Sequence, residues 1–194
     1  MEVDIQNEMN LITAFLLCGG KGERLRPLTN SIPKPLIKIK KKPILKHVID
    51  HIRKYNISNL VVATGYQSQK IEKYLDNEFK HSDLNIKISD SGCVDMIKRL
   101  KDASYLIKGD VIIFYGDTLS DVNINKLAKY HKDHLGKATI TVWPLQSQFG
   151  LLEFDDKGMI CSYKEKPVLD KWMNIGYILS LIHISEPTRR TPIS

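Results

Sequence analysis

Between residues 16 and 36 the chain gathers groups suited to holding a row of phosphates. Three glycines fall within four positions, Gly19, Gly20 and Gly22, directly after Cys18. Glycine admits φ > 0 and carries no Cβ, so main-chain N–H groups in such a run lie open to an anion. Glu23, Arg24 and Arg26 follow, and Lys34 stands between Pro33 and Pro35. Guanidinium and ammonium groups bind phosphate through charge-assisted hydrogen bonds. Flanking prolines fix φ and restrict their neighbours, which keeps the lysine on a stiff segment. Taken alone, Gly-Gly-x-Gly reads equally well as a turn with surface charges nearby. Two common phosphate motifs fit badly. A P-loop needs Gly-Lys-Ser/Thr, whereas Gly22 precedes Glu23, and a dinucleotide fingerprint wants a third glycine where Leu25 stands.

A second group lies in mid-chain. Gly116 and Asp117 come just past the apolar run 110–115. A carboxylate there is placed to hold a hard cation such as Mg²⁺, which takes one or two carboxylates, phosphate oxygens and water. The plainer reading is a turn or cap, but Asp121 is the better cap for a helix over 123–135. Further on come Glu165, Lys166 and Pro167, then Asn174 and Gly176. Residues of these types are common on surfaces and mean little alone. Cys18, Cys93 and Cys161 are far apart and form no Cys-x-x-Cys, so neither a zinc site nor a disulfide framework is indicated. Cys18, at a strand end, reads as a small packing residue rather than a nucleophile.

The elements that must position these groups can be read from periodicity. Residues 12–17 form a short apolar strand that runs into the glycines. Pro43 opens a helix whose Ile44, Leu45, Val48, Ile49 and Ile52 share one face. Strands follow at 59–64, 86–88, 110–115 and 137–142, with helices at 67–79, 96–107 and 123–135. Strand and helix alternate to about residue 142, the pattern of an α/β fold with a mostly parallel sheet and helices on both faces. Such sheets bind ligands beyond the carboxyl ends of their strands, where the glycine run lies. Two closer strands then appear, 150–154 and 159–163, joined by a hairpin turn at 155–158.

The 194 residues suit one domain with a sizeable core. Net charge is +7, from 29 basic and 22 acidic side chains. The basic residues are spread along the chain apart from Lys38, Lys40, Lys41 and Lys42, which read as a solvated turn. Nucleic acid is therefore not the expected partner, since the cluster lacks interleaved aromatics. Small anionic substrates account for a positive field equally well. No apolar run is long enough to cross a bilayer, and no signal peptide is suggested, so a reducing, cytoplasmic setting is the default expectation.

The run from Gly19 to Pro35 resembles the sugar-1-phosphate nucleotidyltransferases. Their signature is Gly-Gly-x-Gly-Thr-Arg-Leu-x-Pro-x-Thr followed by Pro-Lys-Pro. Gly19, Gly20, Gly22, Arg24, Leu25, Pro27, Thr29 and Pro33-Lys34-Pro35 match it in order and spacing, with Glu23 in place of threonine. The resemblance covers residues 12–178 and implies the Rossmann-like nucleotide-diphospho-sugar transferase fold. It implies a reaction in which a sugar 1-phosphate attacks the α-phosphorus of a nucleoside triphosphate and releases pyrophosphate. It assigns Cys18, Gly19, Gly20, Gly22, Glu23, Arg24, Lys34, Gly92 and Gly116 to the nucleotide. Glu165, Lys166, Asn174 and Gly176 go to the sugar phosphate. Arg24, Lys34 and Asp117 become catalytic, with Asp117 also the magnesium ligand.

Residues 89–101 replace a Pro-Leu-Gly-Thr-Ala-Gly segment found in many members, which places the chain slightly nearer the glucose-1-phosphate cytidylyltransferases. Mannose- and heptose-phosphate guanylyltransferases stay close. A non-catalytic nucleotide-binding module is the reading of another class. The resemblance also implies that longer members form homo-oligomers and supply a second magnesium aspartate beyond the matched part. Residues 1–10 read as a loose leader. From Leu179 onward the chain resembles translated sequencing-adapter read-through rather than the family, so 179–194 are excluded as a non-native tail. His183 and Glu186 within it are not read as a site.

Overall fold

The computed structural model describes residues 9, 11–134 and 136–180. In chain order the elements are β1 (Thr13–Leu17), β2 (Lys38–Ile39), β3 (Lys42–Pro43), α1 (Ile44–Arg53), β4 (Asn59–Thr64), α2 (Ser68–Phe79), β5 (Asn85–Asp90), α3 (Met96–Asp102), β6 (Val111–Tyr115) and α4 (Ile124–His134). They continue with β7 (Ala138–Gln146), β8 (Leu151–Phe154), β9 (Ile160–Lys164) and β10 (Val168–Ser180).

Six strands form the main sheet in the order β5-β4-β1-β6-β10-β7. The four strands from β5 to β6 run parallel, as the strand–helix alternation requires. The sheet grows outward from β1 to β4 to β5, then the chain returns and adds β6 on the other side of β1. Leu17 pairs with Tyr115 and with Ala63, so β1 and its two neighbours end level with one another.

Alternation along each strand sends side chains to opposite faces. Ala14, Leu16, Val62, Ile112 and Phe114 face α1, α2 and α4, whose Ile49, Ile71 and Leu127 complete the larger core. Phe15, Val61, Ala63 and Ile113 point the other way, against Ala103, Leu100 and Leu106. Helices thus cover both faces, and the larger core lies on the side of the two outward crossovers.

Four local readings change. The helix expected over 96–107 stops at Asp102, where Ala103 leaves helical geometry, and a separate 3₁₀ turn spans Ser104–Leu106. Asn123, not Asp121, caps α4, accepting a bond from the Lys126 N–H at 3.0 Å. The strand expected at 137–142 extends to Gln146 as β7 and pairs antiparallel with β10 at the sheet edge. The fourth change concerns the ends of the folded unit. Met9 is buried in the core rather than part of a loose leader. Leu179 and Ser180, placed in the excluded tail, continue β10 and pair with Ile112 and Val111 of β6. The rest of both terminal readings, over 1–8, 10 and 181–194, lies outside the described residues.

Tyr177 fastens β10 to the sheet. It is 1 % exposed, meets the Phe114 ring edge-on with centroids 4.9 Å apart, and sits 6.0 Å from His51. Burial pushes its phenol pKa up to about 12. Tyr177→Ala is expected to lower unfolding free energy by about 3–5 kcal/mol in urea titrations. A loss below about 1 kcal/mol would show that β10 does not depend on this anchor.

Candidate active site

The loops after β1 and β6 diverge above their level ends, and a cleft opens between them. It has two lobes, each of about 520 Å³. The first is walled by Cys18, Gly20, Gly22, Glu23, Arg24, Lys34 and Asp117. The second is walled by Gly19, Gly20, Cys93, Arg99, Tyr115 and Asp117. Leu17, Gly20, Lys21 and Asp117 belong to both, so the lobes meet over the mid-chain carboxylate.

Local sequence explains the first lobe. Gly22 adopts φ +63°, and a Cβ there would lie 3.0 Å from Thr29 Cγ2 and 3.2 Å from Lys34 Cβ. Only glycine lets the loop fold back so closely on both. The Thr29 hydroxyl then closes the loop by donating to the Gly22 carbonyl at 3.0 Å. Tyr66 and Gln67, from the connection after β4, donate to the Thr29 carbonyl at 3.1 Å each. Lys34 opens a 3₁₀ turn, Lys34–Leu36, that delivers its ammonium to Asp117 Oδ2 at 2.6 Å. Arg26 pairs with Glu23 at 3.5 Å. Arg24 and Lys21 have no side-chain partner among the described residues, so two cations on the cleft wall are uncommitted.

Gly116 brings Asp117 into place. Its N–H donates to the Leu17 carbonyl at 3.0 Å, and a Cβ on it would sit 2.3 Å from Cys18 Sγ. Cys18 is buried, and burial followed by the nearby Asp117 charge pushes its thiol pKa far up. It is a packed thiol, not a nucleophile.

Arg99 was given no role by sequence reasoning. It is 5 % exposed yet charged. Its guanidinium donates to the carbonyls of Thr64, of Gly19 at 3.1 Å and of Gly92 at 2.6 Å. One side chain from α3 therefore ties together the loops that follow β1, β4 and β5. Gly92 contributes its carbonyl to this tie, while Cys93 and Val94 beside it line the second lobe. The only hint in the sequence was the lack of the usual Pro-Leu-Gly-Thr-Ala-Gly in this segment. Tyr115 and Lys21 were likewise missed, because a strand-end aromatic and a lysine among glycines look ordinary.

The expected sugar residues are only partly gathered. Asn174 donates to the Tyr115 hydroxyl at 3.4 Å and accepts from the Gly176 N–H at 2.8 Å, which places both beside the second lobe. Glu165 and Lys166 line neither lobe. Both are more than half exposed, 3.9 Å from each other, and Tyr163 donates to Glu165. They follow the β8–β9 hairpin, which pairs with no other strand among the described residues, so the main sheet does not carry them to the cleft.

The donor set bears on a metal. No cluster of three or more His, Cys, Asp or Glu side chains occurs among the described residues. Asp117 offers one carboxylate, its Oδ1 reached among the described residues only by the Thr118 hydroxyl at 3.5 Å. By itself that holds Mg²⁺ only weakly, and it fits an ion completed by phosphate oxygens and water.

The sequence profile of the nucleotidyl transferase family matches residues 13–184. The chain belongs to that family. Within it, the chain is a member of the sugar-1-phosphate nucleotidyltransferases. It is 34 % identical over 188 residues to a protein named probable glucose-1-phosphate cytidylyltransferase in Bacillus subtilis (strain 168), covering 86 % of this chain and 73 % of that one. It is 32 % identical to the glucose-1-phosphate cytidylyltransferase of Salmonella typhi, covering 84 % and 72 %. It is 29 % identical to the mannose-1-phosphate guanylyltransferase catalytic subunit beta of Xenopus tropicalis, covering 79 % and 45 %. Among solved structures, HddC from Yersinia pseudotuberculosis complexed with GMP-PN superposes with a TM-score of 0.70 at 18 % identity, over 91 % of this chain and 80 % of that one. That likeness speaks for the fold alone. No helix among the described residues of the transferase is long and apolar enough to cross a membrane.

The tie made by Arg99 sets different demands on adjacent glycines of the transferase. A Cβ on Gly19 would fall 2.1 Å from Arg99 Nη1, whereas one on Gly20 meets nothing within 4 Å. Gly19→Ala must drive the guanidinium from its carbonyls and is expected to cost about 2–3 kcal/mol of stability. Gly20→Ala is expected to stay within about 0.5 kcal/mol of the parent. Equal Tm values for the two variants would contradict the tie.

Proposed function

We propose that the cleft transfers a nucleotidyl group from a nucleoside triphosphate to a sugar 1-phosphate, releasing pyrophosphate. The observation that carries this reading is the convergence of the glycine loop, Arg24, Lys34 and Asp117 on one lobe above β1 and β6. A phosphate monoester is already ionised near neutral pH, so the attacking oxygen needs no general base. The residues' work is then placement and charge stabilisation.

In this reading the glycine loop and Arg24 hold the triphosphate along the first lobe, and Lys34 binds the α-phosphate. Arg24 and Lys21 face the pyrophosphate as negative charge builds on it. Nucleoside and sugar share the second lobe, where Tyr115 and Asn174 offer a hydroxyl and an amide. Asp117, at the junction, would hold Mg²⁺ together with phosphate oxygens, and the ion when bound supplies charge neutralisation and a common template for the two reactants. Glu165 and Lys166 belong to the sugar phosphate by resemblance.

For substrates we take cytidine triphosphate and glucose 1-phosphate, supported by the two cytidylyltransferase relatives. The guanylyltransferase relative makes guanosine triphosphate with mannose 1-phosphate the second reading. Pyrophosphate release from four nucleoside triphosphates, each with glucose or mannose 1-phosphate, tests the choice. The largest kcat/KM is expected with the cytidine–glucose pair. Asp117→Asn and Arg24→Met should each lower kcat/KM by about 10²–10³-fold with little change in Tm. Nucleotide binding without pyrophosphate from any pair would favour a non-catalytic binding module instead.

A further inference from the structure

We infer that Lys34 keeps the place of the metal in the nucleotide-free protein, and yields Asp117 only when a triphosphate arrives to take up its ammonium. The inference rests on the reading of the first lobe as a triphosphate site and adds an order of events to it.

The geometry is that of an occupied cation position. The ammonium lies 2.6 Å from Asp117 Oδ2, with the two side chains 29 % and 31 % exposed. Among the described residues Oδ1 has only the Thr118 hydroxyl, at 3.5 Å. A bare divalent ion approaching this carboxylate meets a positive charge already bonded to it. Lys21 and Arg24, on the same lobe and without side-chain partners among the described residues, add to the repulsion. A nucleotide that carries the ion reverses the balance, because its phosphates attract all three cations and offer Lys34 new acceptors.

The stem of Lys34 allows such an exchange. Its Cβ is packed beside Gly22, and its backbone is fixed in the 3₁₀ turn between prolines. The methylenes beyond Cβ stay free to swing the ammonium from carboxylate to phosphate within one lobe. No bond is made or broken and no proton moves; one cation replaces another at Asp117. Metal then enters with its nucleotide rather than ahead of it, and Lys34 is released to the phosphate in the same step.

The test is a titration of the nucleotide-free full chain with Mn²⁺ alone, followed by electron paramagnetic resonance. Lys34→Met and Lys34→Gln should each bind Mn²⁺ about tenfold or more tightly than the parent. The gain should vanish in Lys34→Met combined with Asp117→Asn. A parent that binds Mn²⁺ as tightly as both variants overturns the inference, as does a gain that survives loss of Asp117. Neither result touches the pyrophosphate assay, which judges the catalytic reading by itself. Should Lys34→Met gain Mn²⁺ while the parent binds no nucleoside triphosphate, the lysine only guards a cation site and the exchange falls.

Discussion

Two parallel strands that lie side by side and end level cannot both continue straight on. β1 is flanked by β4 and β6 because the sheet is built outward on one side and then restarted on the other. The loops after β1 and β6 must therefore part, and the gap between them is a consequence of strand order before any side chain is chosen. The sequence spends its glycines there. Gly22 folds the first loop back on Thr29 and Lys34, and Gly116 lets the second loop press on Cys18. Close approach of the two loops brings Lys34, late in the loop after β1, to Asp117, just past β6. Placed on any other pair of strand ends, the same residues would form turns and surface ion pairs.

Arg99 supplies what strand order cannot. A buried cation is costly unless its donors are satisfied. Here they are met by three main-chain carbonyls, each at the end of a different strand. These bonds neutralise no charge, and no carboxylate pairs with Arg99 among the described residues. The guanidinium therefore fixes the loops and leaves a positive field behind the glycine run. That field extends the pull of Arg24 and Lys21 on an anion, although Arg99 itself is held by carbonyls.

The legible and illegible parts divide by range. Ile44, Leu45, Val48, Ile49 and Ile52 marked one buried face by spacing alone, and all five are core. The β4 strand had its bounds from its apolar run, Asn59–Thr64. The grouping of Arg24, Lys34 and Asp117 on the first lobe was legible because they lie within one stretch plus Asp117, each following an apolar strand. What escaped depends on contacts between distant segments. Arg99 acts on residues 7, 35 and 80 positions away, which periodicity cannot register. The antiparallel placement of β7 depends on β10, a strand that follows two others in sequence. Asn123 displaced Asp121 as cap because the helix begins at Ile124, and the capping residue is the one immediately before it.

The charges of the cleft explain why its groups are arranged as they are. On the first lobe Lys21, Arg24 and Lys34 face Glu23 and Asp117, three positive against two negative. Glu23, standing where threonine is usual in the family, is turned toward Arg26, which limits its repulsion of an incoming phosphate. A triphosphate brings more negative charge than this lobe can balance while Lys34 is spent on Asp117. Binding the anion with the ammonium still on the carboxylate leaves charge unpaired. Binding it with the ammonium moved leaves the carboxylate bare beside phosphate. In the proposed reading a further cation at Asp117 would satisfy both, and a divalent ion held together with phosphate oxygens would do so without adding any side chain to the lobe. One carboxylate would then be enough, because the ligand itself would complete the site.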